Sequence, residues 1–187
     1  DHADIFPDLA AIQRQFHHLV RTVPGQGLIV ANATDANLED TLERGCWTEI
    51  EGFGIDKGEW QAELLAGDGS IFKVLCHGQL VGTVEWGLIG EHNVMNALAA
   101  IAAARHAGVP AQQATAALGG FEGIKRRMQL RAEVGGVRVY DDFAHHPTAI
   151  RTTIAGLRAR IGDERIIAVL EPRSNTMRMG VHQETLA

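Results

Sequence analysis

Apolar residues at Ile5, Leu9, Ile12, Phe16, Leu19, Val20 and Val23 recur every three or four positions, the spacing of one stripe along a helix. This predicts a helix over about 8–23, begun by Pro7 and Asp8 and ended by Pro24-Gly25. Gly27 to Val30 reads as a short buried strand, and Asp35 to Arg44 as a second helix capped by Asp35 and closed by Gly45. Alternation of helix and strand predicts a parallel α/β layer. From Thr48 to Trp86 the pattern changes to short alternating segments, with Phe72, Val74 and Cys76 on one face and turns at Asp68-Gly69 and Gly78-Gln79. These predict antiparallel hairpins. An Ala-rich run from His92 to His106 predicts a long helix stopped by Gly108; Pro110 opens another, which Gly119-Gly120 closes.

Phe121 to Arg127 has no period and reads as a linker. Two domains follow, 1–121 and 122–187. In the second, Leu130–Val134 and Val137–Tyr140 flank Gly135-Gly136 as a hairpin, Pro147 starts a helix to about Arg160, and Ile166–Leu170 reads as a buried strand.

Composition narrows the function classes. With 45% hydrophobic and 21% charged positions among 187 residues, the chain can bury a core and is not disordered. Its formal net charge of −6 disfavours nucleic acid or an anionic membrane as the main partner. No apolar run approaches the roughly 20 residues that cross a bilayer, and the reading is cytoplasmic. Cys46 and Cys76 lack C-x-x-C spacing and read as reduced core thiols. The chain starts without Met and stops in what reads as a helix just begun, so we expect a piece excised from a longer protein.

Four clusters could carry chemistry. Asp1-His2-Ala3-Asp4 places an imidazole and carboxylates where α/β sheets put ligands, and could hold a divalent cation; a helix N-cap explains Asp4 equally well. His92, Asn93 and Asn96 fall in the first turn of the Ala-rich helix. The two amides lie three apart, hence on one face, and suit the edge of a heterocyclic base, while free N–H groups there suit phosphate. Lys125-Arg126-Arg127 could neutralise a polyphosphate or be a solvated linker. Asp141-Asp142-Phe143-Ala144-His145-His146-Pro147 crowds two carboxylates and two imidazoles, which is costly unless something binds them. No G-x-x-x-x-G-K-S/T loop, G-x-S-x-G elbow or H-E-x-x-H string occurs.

In order and separation, Asp1 to Asp4, Gly90 to Ala100, Phe121 to Gln129 and Tyr140 to Ile150 resemble the Mur ligases of peptidoglycan synthesis. The resemblance covers nearly the whole chain and implies an α/β fold: the latter half of that family's central ATPase domain followed by the start of its Rossmann-like C-terminal domain. It implies ATP and Mg²⁺ as cofactors. His2 matches the histidine that helps position magnesium; His92, Asn93 and Asn96 match the helix start that recognises adenine; Arg127, with Arg126 beside it, matches the arginine that reaches the nucleotide. Asp142 matches the ribose-binding aspartate, and His145 lies where the C-terminal domain faces the reacting phosphate, making His145 and Arg127 the catalytic candidates. His146, Arg173 and Ser174 fall in the region resembling the incoming-peptide site. The family usually carries Glu where this chain has Gln129.

The strings at 141–150 and 170–177 most resemble the recycling branch of the family, which joins UDP-N-acetylmuramate to L-alanyl-γ-D-glutamyl-meso-diaminopimelate through an acyl phosphate, rather than the L-alanine-adding branch. Two readings from other classes stand beside it. One is a metal-dependent hydrolase using Asp1, His2, Asp141, Asp142, His145 and His146 around one ion; the other is a nucleotide-sensing module. Lacking a phosphate loop, the isolated chain is expected not to catalyse ligation.

Overall fold

A computed structural model of the chain describes residues 5–172, 175–180 and 184. Helix α1 (Leu9–Val20) begins where the Asp8 carboxylate accepts the Ala11 N–H at 2.7 Å. Strand β1 (Leu28–Asn32) and helix α2 (Ala36–Glu43) follow, the latter capped by the Asp35 carboxylate on the Asn37 and Leu38 amides. Strands β2 (Glu49–Gly54), β3 (Trp60–Leu64), β4 (Ile71–Cys76) and β5 (Gln79–Glu85) complete a five-stranded sheet in the order β1-β2-β3-β4-β5.

The expected antiparallel hairpins are present in β3, β4 and β5. Strand β2 departs from that expectation, pairing parallel with both β1 and β3. Its return to β3 is short because Gly58, at φ +100, lies so close to Gly52 that a Cβ there would meet the Gly52 carbonyl oxygen at 2.6 Å. A partly buried network locks this junction: Glu51 accepts the Trp60 indole N–H at 2.7 Å and pairs with Arg105.

Helix α3 (Glu91–His106) lies on β1, β2 and β3, while helix α4 (Ala111–Leu118) covers β5. In α3, Val94, Ala97, Leu98, Ile101 and Ala102 are buried, a helical stripe set against Trp60, Phe72, Val74, Val84 and Trp86 of the sheet side. Small alanines let the helix approach closely, and Phe72 meets Trp86 edge to face at 5.5 Å.

Beyond an irregular stretch, β6 (Gln129–Val134) and β7 (Val137–Asp141) form an antiparallel hairpin. Helix α5 (Pro147–Ile161) has Pro147 in its first turn and the His146 ring accepting the Thr148 N–H at 3.3 Å; a short helix α6 spans Asn175–Arg178. Ile166–Leu170, expected as a buried strand, is neither. Among the described residues no strand pairs with it, and Val169 is 95% exposed. A fully buried strand needs neighbours on both edges and both faces, and these residues have neither here.

Candidate functional site

Glycine sets the first turn of α3. Gly90 caps the helix at φ +93 without any side-chain cap, so first-turn N–H groups are left without a side-chain acceptor. The absence of a Cβ also matters to the next side chain: an atom there would lie 2.6 Å from His92 Cε1 and 2.7 Å from Nδ1. His92 therefore folds back beside the turn, where its Nδ1 is buried without a hydrogen-bond partner among the described residues. Burial lowers its pKa below the ordinary histidine value; nearby Asp142 opposes that shift and nearby Arg127 adds to it. The ring is neutral at neutral pH.

Asn93 donates its amide to the Ile89 carbonyl at 2.7 Å, which fixes the rotamer and leaves its oxygen available. The exposed Asn96 side chain has no hydrogen-bond partner among the described residues. Facing this turn, a cavity of about 620 Å³ is lined by His92, Asn93 and Asn96 from α3, by Arg127 and Met128 from the irregular stretch, and by Asp142 and Thr153 from the region after β7. Trp86, Leu88, Leu118, Phe121 and Ile124 supply apolar walls. Flat apolar sides with a few convergent polar groups are what a heterocycle requires.

The far wall is built by Asp142. One carboxylate oxygen accepts the Met128 N–H at 2.9 Å and the other the Ala144 N–H at 2.7 Å. These bonds tie the end of β7 to the stretch carrying Arg127, yet a carboxylate retains further acceptor capacity on both oxygens. Arg126, at φ +61, turns the other way: its Nε lies 3.5 Å from Asp141 and its guanidinium sits 5.0 Å over the Phe143 ring. Positive φ at Arg126 and at Met128 (φ +47) points successive side chains in different directions. The Gln129 amide oxygen accepts the Arg126 N–H at 3.2 Å, a role that needs no charge.

Of the residues singled out by sequence, the structure thus gathers His92, Asn93, Asn96, Arg127 and Asp142 around one cavity. Arg126, His145 and His146 are not on its walls. The His145 Nδ1 lies 2.9 Å from the Phe143 carbonyl oxygen, and His146 caps α5. His2, Arg173 and Ser174 lie outside the described residues. Among the described residues, no group of three or more His, Cys, Asp or Glu could hold a metal ion; Asp1 and His2, which the hydrolase reading adds to Asp141, Asp142, His145 and His146, lie outside the described residues. Thr153, Phe121 and Ile124 carried no sequence signal for this site. The mid-helix glycine Gly156, which touches Gly90, did carry one.

A larger depression of about 810 Å³ lies between α2 and the ends of β1 and β2. Glu39, Glu43 and Glu59 on its rim, against Lys57 alone, make it a poor host for phosphates. Among the described residues, no helix is long and apolar enough to cross a membrane.

The family model described as the Mur ligase middle domain matches residues 1–104, and that described as Mur ligase, glutamate ligase domain matches residues 126–185. The UDP-N-acetylmuramate–L-alanyl-gamma-D-glutamyl-meso-2,6-diaminoheptandioate ligase of Escherichia coli (strain K12) is 58% identical across 100% of this chain and 41% of its own length. The UDP-N-acetylmuramate–L-alanine ligase of Salinibacter ruber is 35% identical over 92% of this chain and 37% of its own. Among solved structures, a murein peptide ligase from Psychrobacter arcticus 273-4 superposes with a TM-score of 0.69 at 51% identity, over 97% of this chain and 38% of that one. The chain spans about two fifths of the length of the curated relatives it matches.

Proposed function

This chain belongs to the Mur ligase family, and from that premise we propose that it forms the nucleotide-binding part of an ATP-dependent ligase joining UDP-N-acetylmuramate to L-alanyl-γ-D-glutamyl-meso-diaminopimelate. The observation that carries this reading is the cavity in which the α3 amides face Arg127 and Asp142. The greater identity to the tripeptide-adding relative than to the L-alanine-adding one favours the tripeptide as the incoming amine. We place the boundary between the central and C-terminal domains at residues 121 and 122.

Each wall has a task. The Asn93 and Asn96 amides bind the polar edge of adenine beside the His92 ring, with Leu88, Leu118 and Phe121 against its faces. Asp142 accepts a ribose hydroxyl on a carboxylate already aligned by two backbone N–H groups. Arg127, which makes no side-chain ion pair among the described residues, supplies positive charge to the phosphates. His145, next to the cavity wall, faces the reacting phosphate. His146, Arg173 and Ser174 receive the peptide, and His2 helps hold Mg²⁺, which screens phosphate charge when bound. In the reaction, a muramate carboxylate oxygen bonds to the γ-phosphorus as the bond to ADP breaks. The peptide amine then attacks the acyl phosphate carbon and phosphate leaves. Such chemistry is accelerated by positioning and by cations that stabilise spreading negative charge. All the reactants are polar, in keeping with a cytoplasmic enzyme whose partners are small molecules rather than nucleic acid or membrane.

The test is phosphate release by this chain within a polypeptide of its relatives' full length. Release that requires both UDP-N-acetylmuramate and the tripeptide, and is not supported by L-alanine, is expected. Release supported by L-alanine alone assigns the other branch, and none with either amine refutes the reading.

A further inference from the structure

Helix α5 meets the α3 side of the cavity along one face. Thr153, Gly156 and Arg160 are three and four residues apart and so point the same way. Thr153 lines the cavity. Gly156 lies against the cap of α3, where an added Cβ would sit 2.9 Å from Gly90 Cα and 3.1 Å from Gly90 N. One turn further on, Arg160 Nε donates to Asp68 Oδ2 at 2.9 Å, and its Nη1 reaches the Gly87 carbonyl at 3.4 Å.

Asp68 is built to receive that guanidinium. Its other oxygen accepts the Ser70 N–H at 3.0 Å and the Ser70 hydroxyl at 2.6 Å, which fixes the carboxylate, and its side chain is only 12% exposed. Its backbone carbonyl accepts the Gly90 N–H at 2.7 Å. A single residue therefore holds the cap of α3 with its main chain and α5 with its side chain. Burial alone would raise the Asp68 pKa, but the Ser70 hydrogen bonds and Arg160 outweigh it and hold the value below the ordinary one. The carboxylate is charged throughout the neutral range.

We propose that Asp68 and Arg160 are positioning residues for the nucleotide cavity: neither lines it, and their ion pair seats α5 on the Gly90 cap so that Thr153 and Asp142 stand opposite Asn93 and Asn96. This rests on the reading of that cavity as a nucleotide site. The pair links segments separated by 92 positions in the sequence, across the two sides of the cavity. Preorganising both walls removes ordering cost from ligand binding.

The experiment uses the 187-residue chain, with ADP affinity measured by calorimetry. A second readout is the distance between nitroxides on Thr83→Cys and Arg151→Cys, in a background with Cys46 and Cys76 replaced by alanine. Arg160→Ala is expected to weaken ADP about tenfold, the lower end of the scale for one charge-assisted hydrogen bond, and to broaden the label distance. Asp68→Asn keeps the acceptor for Ser70 but loses the charge, and is expected to act in the same direction. Arg160→Lys is expected to recover most of both readouts, which a purely space-filling role would not. Unchanged affinity and distance in Arg160→Ala overturn the proposal, as does equal impairment in Arg160→Lys. If the parent chain binds no ADP, the nucleotide reading is what fails. The label distance then decides the ion pair alone, an undisturbed distribution in Arg160→Ala refuting it.

Discussion

Replacing Gly156 by alanine sets two effects of similar size against each other. Glycine inside a helix costs roughly 1 kcal/mol relative to alanine, so α5 considered alone gains about that much from Gly156→Ala. The new methyl, however, would stand 2.9 Å from Gly90 Cα, 3.1 Å from Gly90 N and 3.5 Å from the Ile89 carbonyl carbon. All three are backbone atoms and cannot rotate away. Ordinary carbon contacts begin at about 3.5 Å, so α5 must recede by roughly 0.5 Å or more, carrying Thr153 with it. The gain in helix propensity and the loss of contact at the seam nearly cancel in unfolding free energy, and a melting-temperature change within about 4 °C of the parent is expected. ADP affinity has no such compensation. A cavity wall moved by that distance forfeits about one hydrogen bond, on the order of 1 kcal/mol or fivefold in Kd. Calorimetry with ADP and thermal melts followed by circular dichroism measure both quantities on one preparation. A Gly156→Ala chain that binds ADP as tightly as its parent would refute the claim that the contact between α5 and the α3 cap shapes the site.

Asn96→Ala removes an amide without a partner among the described residues, so stability should be unchanged while ADP affinity falls about three- to tenfold in calorimetry. Asp142→Ala is different in kind. It strands the Met128 and Ala144 amides, so it should lower both affinity and the urea midpoint, by about 1–3 kcal/mol in stability. His92 gives a pH signature whose sign follows from its lowered pKa: below the ordinary value of about 6.5 the unfolded chain takes up the proton first. Stability from this group is thus complete above that pH and falls as pH drops towards the folded value. His92→Gln should flatten the urea midpoint between pH 7.5 and 5.5. Phe72→Ala, at a fully buried ring packed on Trp86, should cost about 3–5 kcal/mol in urea unfolding.

Local pattern made much of this architecture legible. The helices announce themselves through apolar spacing and caps, because Asp35, Gly108 and Pro147 act on backbone groups within a few residues. The hairpins of β3 to β5 and β6 to β7 were equally plain, since a tight turn fixes its own partner. Partners distant in sequence were not readable. Nothing in Glu49–Gly54 says that it pairs parallel with two strands, and Ile166–Leu170 has the composition of a buried strand without described neighbours to bury it. At the site, polar residues clustered in sequence were easily found, and five of them share the cavity. Sequence could not foresee that Arg126 and Arg127 diverge, because that depends on positive φ at Arg126 and on Phe143 lying beneath it. The Asp68–Arg160 pair is invisible because its members, one in a turn and one near a helix end, stand 92 positions apart.

The account depends on a purine nucleotide occupying the cavity between α3 and the Asp142 wall. Backbone amide shifts of the ¹⁵N-labelled chain, followed during titration with ADP, test this most directly. We expect saturable shifts centred on His92, Asn93, Asn96, Arg127, Asp142 and Thr153. Shifts confined to the acidic depression around Asn32, Glu39 and Glu59, or no saturable shift at all, would contradict it.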